Sequence, residues 1–229
     1  MTRTKKKSLD VSGLFDKVYC INLDCRPDRW ERMQAELPAM GLPVDTVERW
    51  PAQRTHPGRF GAAMAHRGIM EKQLAEGWER VLVLEDDTQL NRRRALHSLD
   101  KILDDGPWDV MYLGCQANPK TARIISEGEH TFHLRGVTGG FALLYSSRMC
   151  RVMMEIVPED GKLGGEAHFD RVVEQLCQGD MTARGPKNSV YSHTIVGRSD
   201  TDEAPRIQGA SAEYHRKWYQ RMKDLYRLG

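Results

Sequence analysis

Arg80-Val81-Leu82-Val83-Leu84-Glu85-Asp86-Asp87 is the stretch whose reading decides the fold. Four aliphatic residues in a row, with no polar alternation, describe a strand covered on both faces and therefore central in its sheet. The run passes directly into three carboxylates. Adjacent negative charges at the end of a buried strand repel one another, and a cation offsets that cost. Strand geometry sends residues i and i+2 to one side, so Glu85 and Asp87 can address a single ion. Carboxylate oxygens suit Mg2+ or Mn2+, with a diphosphate completing the coordination shell. The plain alternative is a solvated acidic turn; the buried strand ahead of the triplet favours the metal.

Working outward, residues 17–23 form a second buried strand, and Pro27 stands where a first helical turn begins. Trp30, Met33, Leu37 and Met40 follow at helical spacing, and Gly41 closes that helix. A short strand over 44–50 and a loop over 51–59 lead to a helix over 61–76, with Ala62, His66, Ile69, Met70 and Gln73 on one side. Downstream, the periodicity predicts helices over 91–104, 146–157 and 168–177, and strands over 108–113, 141–145 and 189–196. Residues 123–125 and 131–134 pair as a short ribbon. A basic amphipathic helix over 212–228 carries Tyr214, Trp218, Met222 and Leu225 on one stripe. Strands alternating with helices predict an α/β fold, a mostly parallel central sheet flanked by helices. Ligands in such sheets lie outside the carboxyl ends of the strands. That rule selects residues 22–29, 85–87, 114–115 and the loops around 138 and 165. The expected organisation is a mobile basic leader over 1–15 and one domain over 16–229.

The 229 residues suffice for a core without disulfides or structural metal, and 40% hydrophobic against 29% charged residues excludes wholesale disorder. The formal charge of +2 hides an uneven distribution. Residues 1–7 carry four basic groups and residues 206–229 a net +4, leaving −6 on the body between them. An acidic body argues against a plain nucleic-acid-binding module, while the basic ends leave anionic partners open. The five cysteines form no CxxC pair, which points to reduced, mostly buried thiols. No apolar run nears the ~20 residues of a membrane helix, and no apolar stretch follows the basic start. A cytoplasmic chain is the expectation.

Asn22-Leu23-Asp24-Cys25-Arg26-Pro27-Asp28-Arg29 follows the first strand and sets two guanidinium groups beside a helix start, an arrangement suited to phosphate. A surface Arg–Asp cluster is the alternative. Neither GxGxxG nor GxxxxGK[ST] occurs. His66 on an apolar helix face is either a hydrogen-bonded core residue or a group that orients a donor. Thr138-Gly139-Gly140 either admits a sugar or makes a tight turn.

Four blocks in order carry a family resemblance: 18–30, Gly61-Ala62-Ala63-Met64-Ala65-His66, 77–87, and Tyr191-Ser192-His193 with Ser199-Asp200-Thr201-Asp202. Together they resemble glycosyltransferase family 25, which includes lipooligosaccharide galactosyltransferases and collagen galactosyltransferase domains. The resemblance covers residues 17–202. It implies a GT-A-type, Rossmann-like nucleotide-sugar-binding fold and an inverting hexose transfer from a UDP-sugar with Mn2+ (or Mg2+). Carried onto this chain, it implies Glu85 and Asp87 as metal ligands; His193, at a strand end, is either a third ligand from a distant segment, as GT-A enzymes often have, or a surface-loop histidine. Asn22, Arg26, Arg29, His66, Asp86, Gly139 and Gly140 fall to the donor.

An inverting transfer needs a carboxylate to take the acceptor hydroxyl's proton. Gly164-Gly165-Glu166-Ala167-His168-Phe169-Asp170 resembles the Gly-Gly-Glu-Asp-Asp-Asp segment of other GT-A galactosyltransferases without its middle acids. Asp170 is the first candidate and Glu166 the second; an ordinary helix-start acid is the alternative for each. Ala65 departs from the family's usual Ser before His66, and the chain is short for acceptor-recognition loops. The expected acceptor is a hydroxyl on a glycan or a hydroxylated protein side chain. The rival readings are a transferase acting on an anionic polymer such as modified DNA, and a catalytically silent binding module.

Overall fold

A computed structural model describes residues 9–117, 122–163 and 168–193. Its elements are β1 (Lys17–Leu23), α1 (Pro27–Glu36), β2 (Val47–Ala52), α2 (Gly58–Glu76), β3 (Val81–Glu85), β4 (Thr88–Leu90), α3 (Arg93–Leu96) and α4 (Leu99–Leu103). There follow β5 (Val110–Ala117), β6 (Arg123–Glu127), β7 (Thr131–Arg135), β8 (Val137–Tyr145), α5 (Ser147–Ile156), α6 (Phe169–Gln178), β9 (Ala183–Pro186) and β10 (Tyr191–His193).

Eight strands form one sheet in the order β2-β1-β3-β8-β5-β9-β7-β6, and β4 pairs with β10 in a second, two-stranded sheet. β3 is interior, as its unbroken aliphatic run requires. The pleat sends Val81 and Val83 into one apolar cluster, with Tyr19, Ile69, Met70, Tyr145, Met149 and Phe169. Leu82 and Leu84 enter a second cluster on the other face, with Val18, Cys20, Met33, Leu37, Leu99 and Leu103. Two buried faces explain why this strand shows no alternation.

The α/β class is as expected, but the sheet is mixed rather than mostly parallel. β1 runs parallel to both β2 and β3, and β5 parallel to β9. β8 lies antiparallel between β3 and β5, and β7 is antiparallel to β6 and β9. The cause is the connection. A parallel neighbour needs a crossover of a dozen residues or more, usually helical. Between β5 and β8 the described residues contain only the β6–β7 hairpin, so the chain returns antiparallel.

Other differences are local. Residues 88–90, which carry no assignment in the sequence reading, form β4 because they have β10 to pair with. The helix expected over 91–104 is broken at His97 and Ser98 into α3 and α4. Residues 44–46 make a 3-10 turn, and the strand starts at Val47. α2 begins three residues earlier than expected and ends where Gly77 takes the left-handed conformation (φ 70°). Residues 9–15 are packed rather than mobile: Val11 and Phe15 are buried, and the Val11 N–H donates to the Gly41 carbonyl (2.8 Å). Residues 1–8, Glu166, the 199–202 block and the helix expected over 212–228 lie outside the described residues. The five cysteines are free thiols. Among the described residues no helix is long and apolar enough to cross a membrane.

Candidate functional site

β1 and β3 are parallel neighbours, with Ile21 beside Glu85 in register, so their carboxyl ends emerge together. β8 runs the other way against β3, with Ala142 beside Leu84, and its first residues therefore extend past the same end. The sheet alone thus gathers residues 22–29, the acidic triplet and Thr138–Gly140.

The triplet divides as strand geometry requires: Glu85 and Asp87 are half-buried and Asp86 is buried. Asp86 is tied to its neighbours. Its Oδ2 accepts from Asn22 Nδ2 (2.7 Å), and its Oδ1 accepts from Arg29 Nη1 (3.0 Å). The Asp86 carbonyl accepts from Arg32 Nη2 (3.1 Å). Asn22 also donates to the Arg26 carbonyl (3.0 Å) and accepts from Arg49 Nε (2.8 Å), while Arg49 Nη2 pairs with Asp24 (2.9 Å). Three of the residues expected at the donor, Asn22, Arg29 and Asp86, thus form one buried knot joining β1, α1 and the turn after β3. Arg26 instead holds Asp28 through two 2.9 Å contacts, and that guanidinium lowers the Asp28 carboxyl to about 2. Arg32 and Arg49 were not singled out in the sequence. The available signal was an arginine inside strand 47–52, two residues into the strand.

A second group forms where α6 meets β8. Asp170 Oδ2 accepts the Gly139 backbone N–H (2.9 Å), so two residues chosen separately from the sequence are in contact. Gly139 has φ 68°, a conformation that favours glycine. Phe169, next to Asp170, stacks on the His66 ring of α2, with centroids 4.5 Å apart and planes 13° apart. Tyr145 of β8 stands edge-on to both rings, its hydroxyl 3.3 Å from His66 Nδ1. Burial lowers the His66 imidazole to about 4, so at neutral pH it is an uncharged aromatic ring. Burial raises the Tyr145 hydroxyl well above its usual range, and Cys150, Glu85 and Asp170 add to that effect. The fields of Glu85 and Asp170 therefore meet at one side chain. Gly140 adjoins the Leu143 side chain, which a Cβ would meet at 2.4 Å.

His193 pairs with Thr88 in the β10–β4 ladder, one residue beyond Asp87, and its ring lies against Phe141 (centroids 4.7 Å). The β10 pairing brings His193 to the triplet's end of the sheet, but not into a cage with Glu85 and Asp87. Among the described residues no three His, Cys, Asp or Glu side chains cluster closely enough to hold a metal ion. The donor types still suit a hard divalent cation in part: Glu85 and Asp87 are half-buried carboxylates at the end of β3, on either side of the Asp86 that binds Arg29 and Asn22. Two carboxylates of this kind suit a metal whose remaining ligands come from a diphosphate and water.

The class to which this arrangement relates is visible in sequence comparison: the chain has distant homology to glycosyltransferase 25 family members, some of them named inactive. In particular, it is 33% identical over 150 residues to the human (Homo sapiens) "Inactive glycosyltransferase 25 family member 3", covering 52% of this chain and 25% of that protein. The Mus musculus protein of the same name is 30% identical over 144 residues (50% and 24%). A "Glycosyltransferase 25 family member" of Aedes aegypti is 28% identical over 125 residues (42% and 21%). The match thus spans about a quarter of the length of the first two relatives. No protein-family model matches the chain. Among solved structures, UDP-glucose pyrophosphorylase complexed with UDP-glucose is similar at 6% identity and TM-score 0.46, over 93% of this chain and 82% of that one. Mannose-1-phosphate geranyltransferase from Thermus thermophilus is similar at 12% identity and TM-score 0.42, over 74% and 73%. Likeness of that degree decides nothing, and the α/β assignment rests on the sheet itself.

Proposed function

We propose that the chain is a metal-dependent, inverting glycosyltransferase of GT-A type that moves a hexose, galactose or glucose, from a UDP-sugar to a hydroxyl acceptor. The observation that carries this reading is that two separate carboxylate sources, Glu85 with Asp87 and Asp170, lie at one end of the sheet, Asp170 fixed by the Gly139 N–H. The relationship to glycosyltransferase 25 members supports it.

In this reading Glu85 and Asp87 hold Mn2+ or Mg2+, with His193 at their flank, and the ion offsets the charge of the diphosphate. The knot of Asn22, Asp86 and Arg29 keeps the strand end rigid, and Arg26 stands at its rim. Gly139 lets the sugar approach the backbone, while Gly140 makes room for the Leu143 side chain beside it. Asp170 Oδ1 takes the acceptor hydroxyl's proton while that oxygen bonds to the anomeric carbon. The bond from the anomeric carbon to the diphosphate oxygen breaks on the opposite face, and UDP leaves with the electron pair. A glycan or a hydroxylated protein side chain supplies the hydroxyl.

The relatives named inactive favour one second reading, a module that binds the nucleotide sugar without turning it over. One experiment separates the two. Calorimetric titration with UDP, with and without Mn2+, is paired with a screen of UDP-sugars for metal-dependent hydrolysis. Metal-dependent UDP binding with hydrolysis that falls roughly 100-fold or more in Asp170→Asn supports the transferase. Binding without hydrolysis selects the silent module. No binding of UDP, with or without Mn2+, overturns both.

A further inference from the structure

We propose that His66 is a positioning residue for Asp170: its imidazole, oriented by the Tyr145 hydroxyl, clamps Phe169 and so fixes where α6 begins and where its Asp170 carboxylate points. The inference deepens the transferase reading and rests on it only for the catalytic consequence.

Helix starts are usually fixed by a side-chain oxygen at the N-cap. α6 lacks this device: its N-cap is His168, which makes no side-chain capping hydrogen bond. α1 and α2 start without one as well, and at the start of α6 the described contact is packing, with Phe169 buried. Its ring lies flat on His66 from α2 and edge-on to Tyr145 from β8, so three elements meet at one aromatic contact. Asp170 is the next residue, and its Oδ2 to Gly139 N–H bond closes the loop back onto β8. A flat stack resists tilting but allows sliding and spinning of the rings. The 3.3 Å contact between Tyr145 O–H and His66 Nδ1 removes the spin. In the Nε2–H tautomer of the uncharged ring the hydroxyl donates to Nδ1; in the Nδ1–H tautomer Nδ1 donates to the hydroxyl oxygen, and either bond fixes the ring. An aliphatic residue at 66 would fill the volume but supply neither the flat face nor the fixed orientation.

The test uses the full chain and two variants, His66→Ala and His66→Phe. Amide exchange at Gly139, whose N–H donates to Asp170, is read by NMR against Val83 in the core of β3. His66→Ala should speed Gly139 exchange about tenfold or more relative to Val83. In UDP-sugar hydrolysis it should lower kcat about 10- to 100-fold with KM for the donor within about twofold, because the base is misplaced while donor contacts persist. His66→Phe restores the flat face but not the hydrogen bond to Tyr145, and should recover part of both, to a level between His66→Ala and the parent chain.

Gly139 exchange that still tracks Val83 in His66→Ala overturns the inference, as does a loss confined to KM. Should His66→Ala loosen both amides together, His66→Phe decides: Gly139 protection above that of His66→Ala relative to Val83 supports the clamp, and no gain over His66→Ala overturns it. A parent chain that hydrolyses no donor sinks the transferase reading alone, because the exchange measurement still decides the clamp.

Discussion

At the scale of single residues, the acidic triplet shows how neighbours of like charge are given different tasks. Asp86 is 7% exposed and holds Asn22 and Arg29, whose side chain is itself only 12% exposed. Removing the carboxylate in Asp86→Ala strands a nearly buried guanidinium and an amide. The loss should be about 3 kcal/mol in urea unfolding, larger than for an exposed ion pair. His66 makes a second prediction. Its folded imidazole titrates at about 4, below its ordinary 6.5, so the unfolded chain takes the proton first. The stability it contributes is complete above pH 6.5, declines as pH falls towards 4, and is fully lost below. The span amounts to roughly 3 kcal/mol. Unfolding free energies at pH 7 and pH 4.5 should therefore differ less in His66→Phe than in the parent chain. Both roles were only half legible in the sequence. The pattern 85–87 raised the expectation of an ion site, but nothing local marked Asp86 as the partner of Arg29, because that pairing spans 57 residues.

At the scale of elements, β8 is the strand on which the candidate site depends, and its glycines explain how. Gly139 offers its N–H to Asp170 from a left-handed conformation. Gly114 of the neighbouring β5 is needed for a different reason: a Cβ there would lie 2.3 Å from Phe141 Cε2. The Phe141 ring in turn supports His193 (4.7 Å), and the Phe141 carbonyl accepts from Thr88 Oγ1 (2.7 Å). Gly114→Ala should push that ring outward and cost about 1–3 kcal/mol in thermal unfolding, with the His193 ring resonances shifting by NMR. The sequence showed Gly139, Gly140 and Asp170 as separate candidates in separate segments. It did not show the contact between them, because β8 was read as starting at 141 and the ladder carries it back to Val137.

At the scale of the whole molecule, the proposed site exists only when the sheet is assembled, since its carboxylates come from segments as far apart in the chain as Asp87 and Asp170. A ligand that bridges them stabilises the folded state by mass action. With Mn2+ and UDP at about 100 times the dissociation constant, the gain is about 2.7 kcal/mol, or a rise in Tm of roughly 5–10 °C for a chain of this size. Chelation of the metal should abolish the rise, as should Asp87→Asn, whereas UDP alone should give little of it. Several things were determined by the sequence alone. The aliphatic run 81–84 required a central strand, the strand–helix alternation required an α/β layer structure, and the triplet required a polar end to that strand. Those are consequences of local periodicity and of burying apolar area, both written into neighbouring residues. Tertiary structure alone decided that the sheet is mixed, that Asp86 serves α1 while Glu85 and Asp87 stand half-buried, and that His66 reaches Asp170 through Phe169. Each of these rests on a pairing or ring contact between segments distant in the chain, and such contacts leave no periodic trace in the residues that make them.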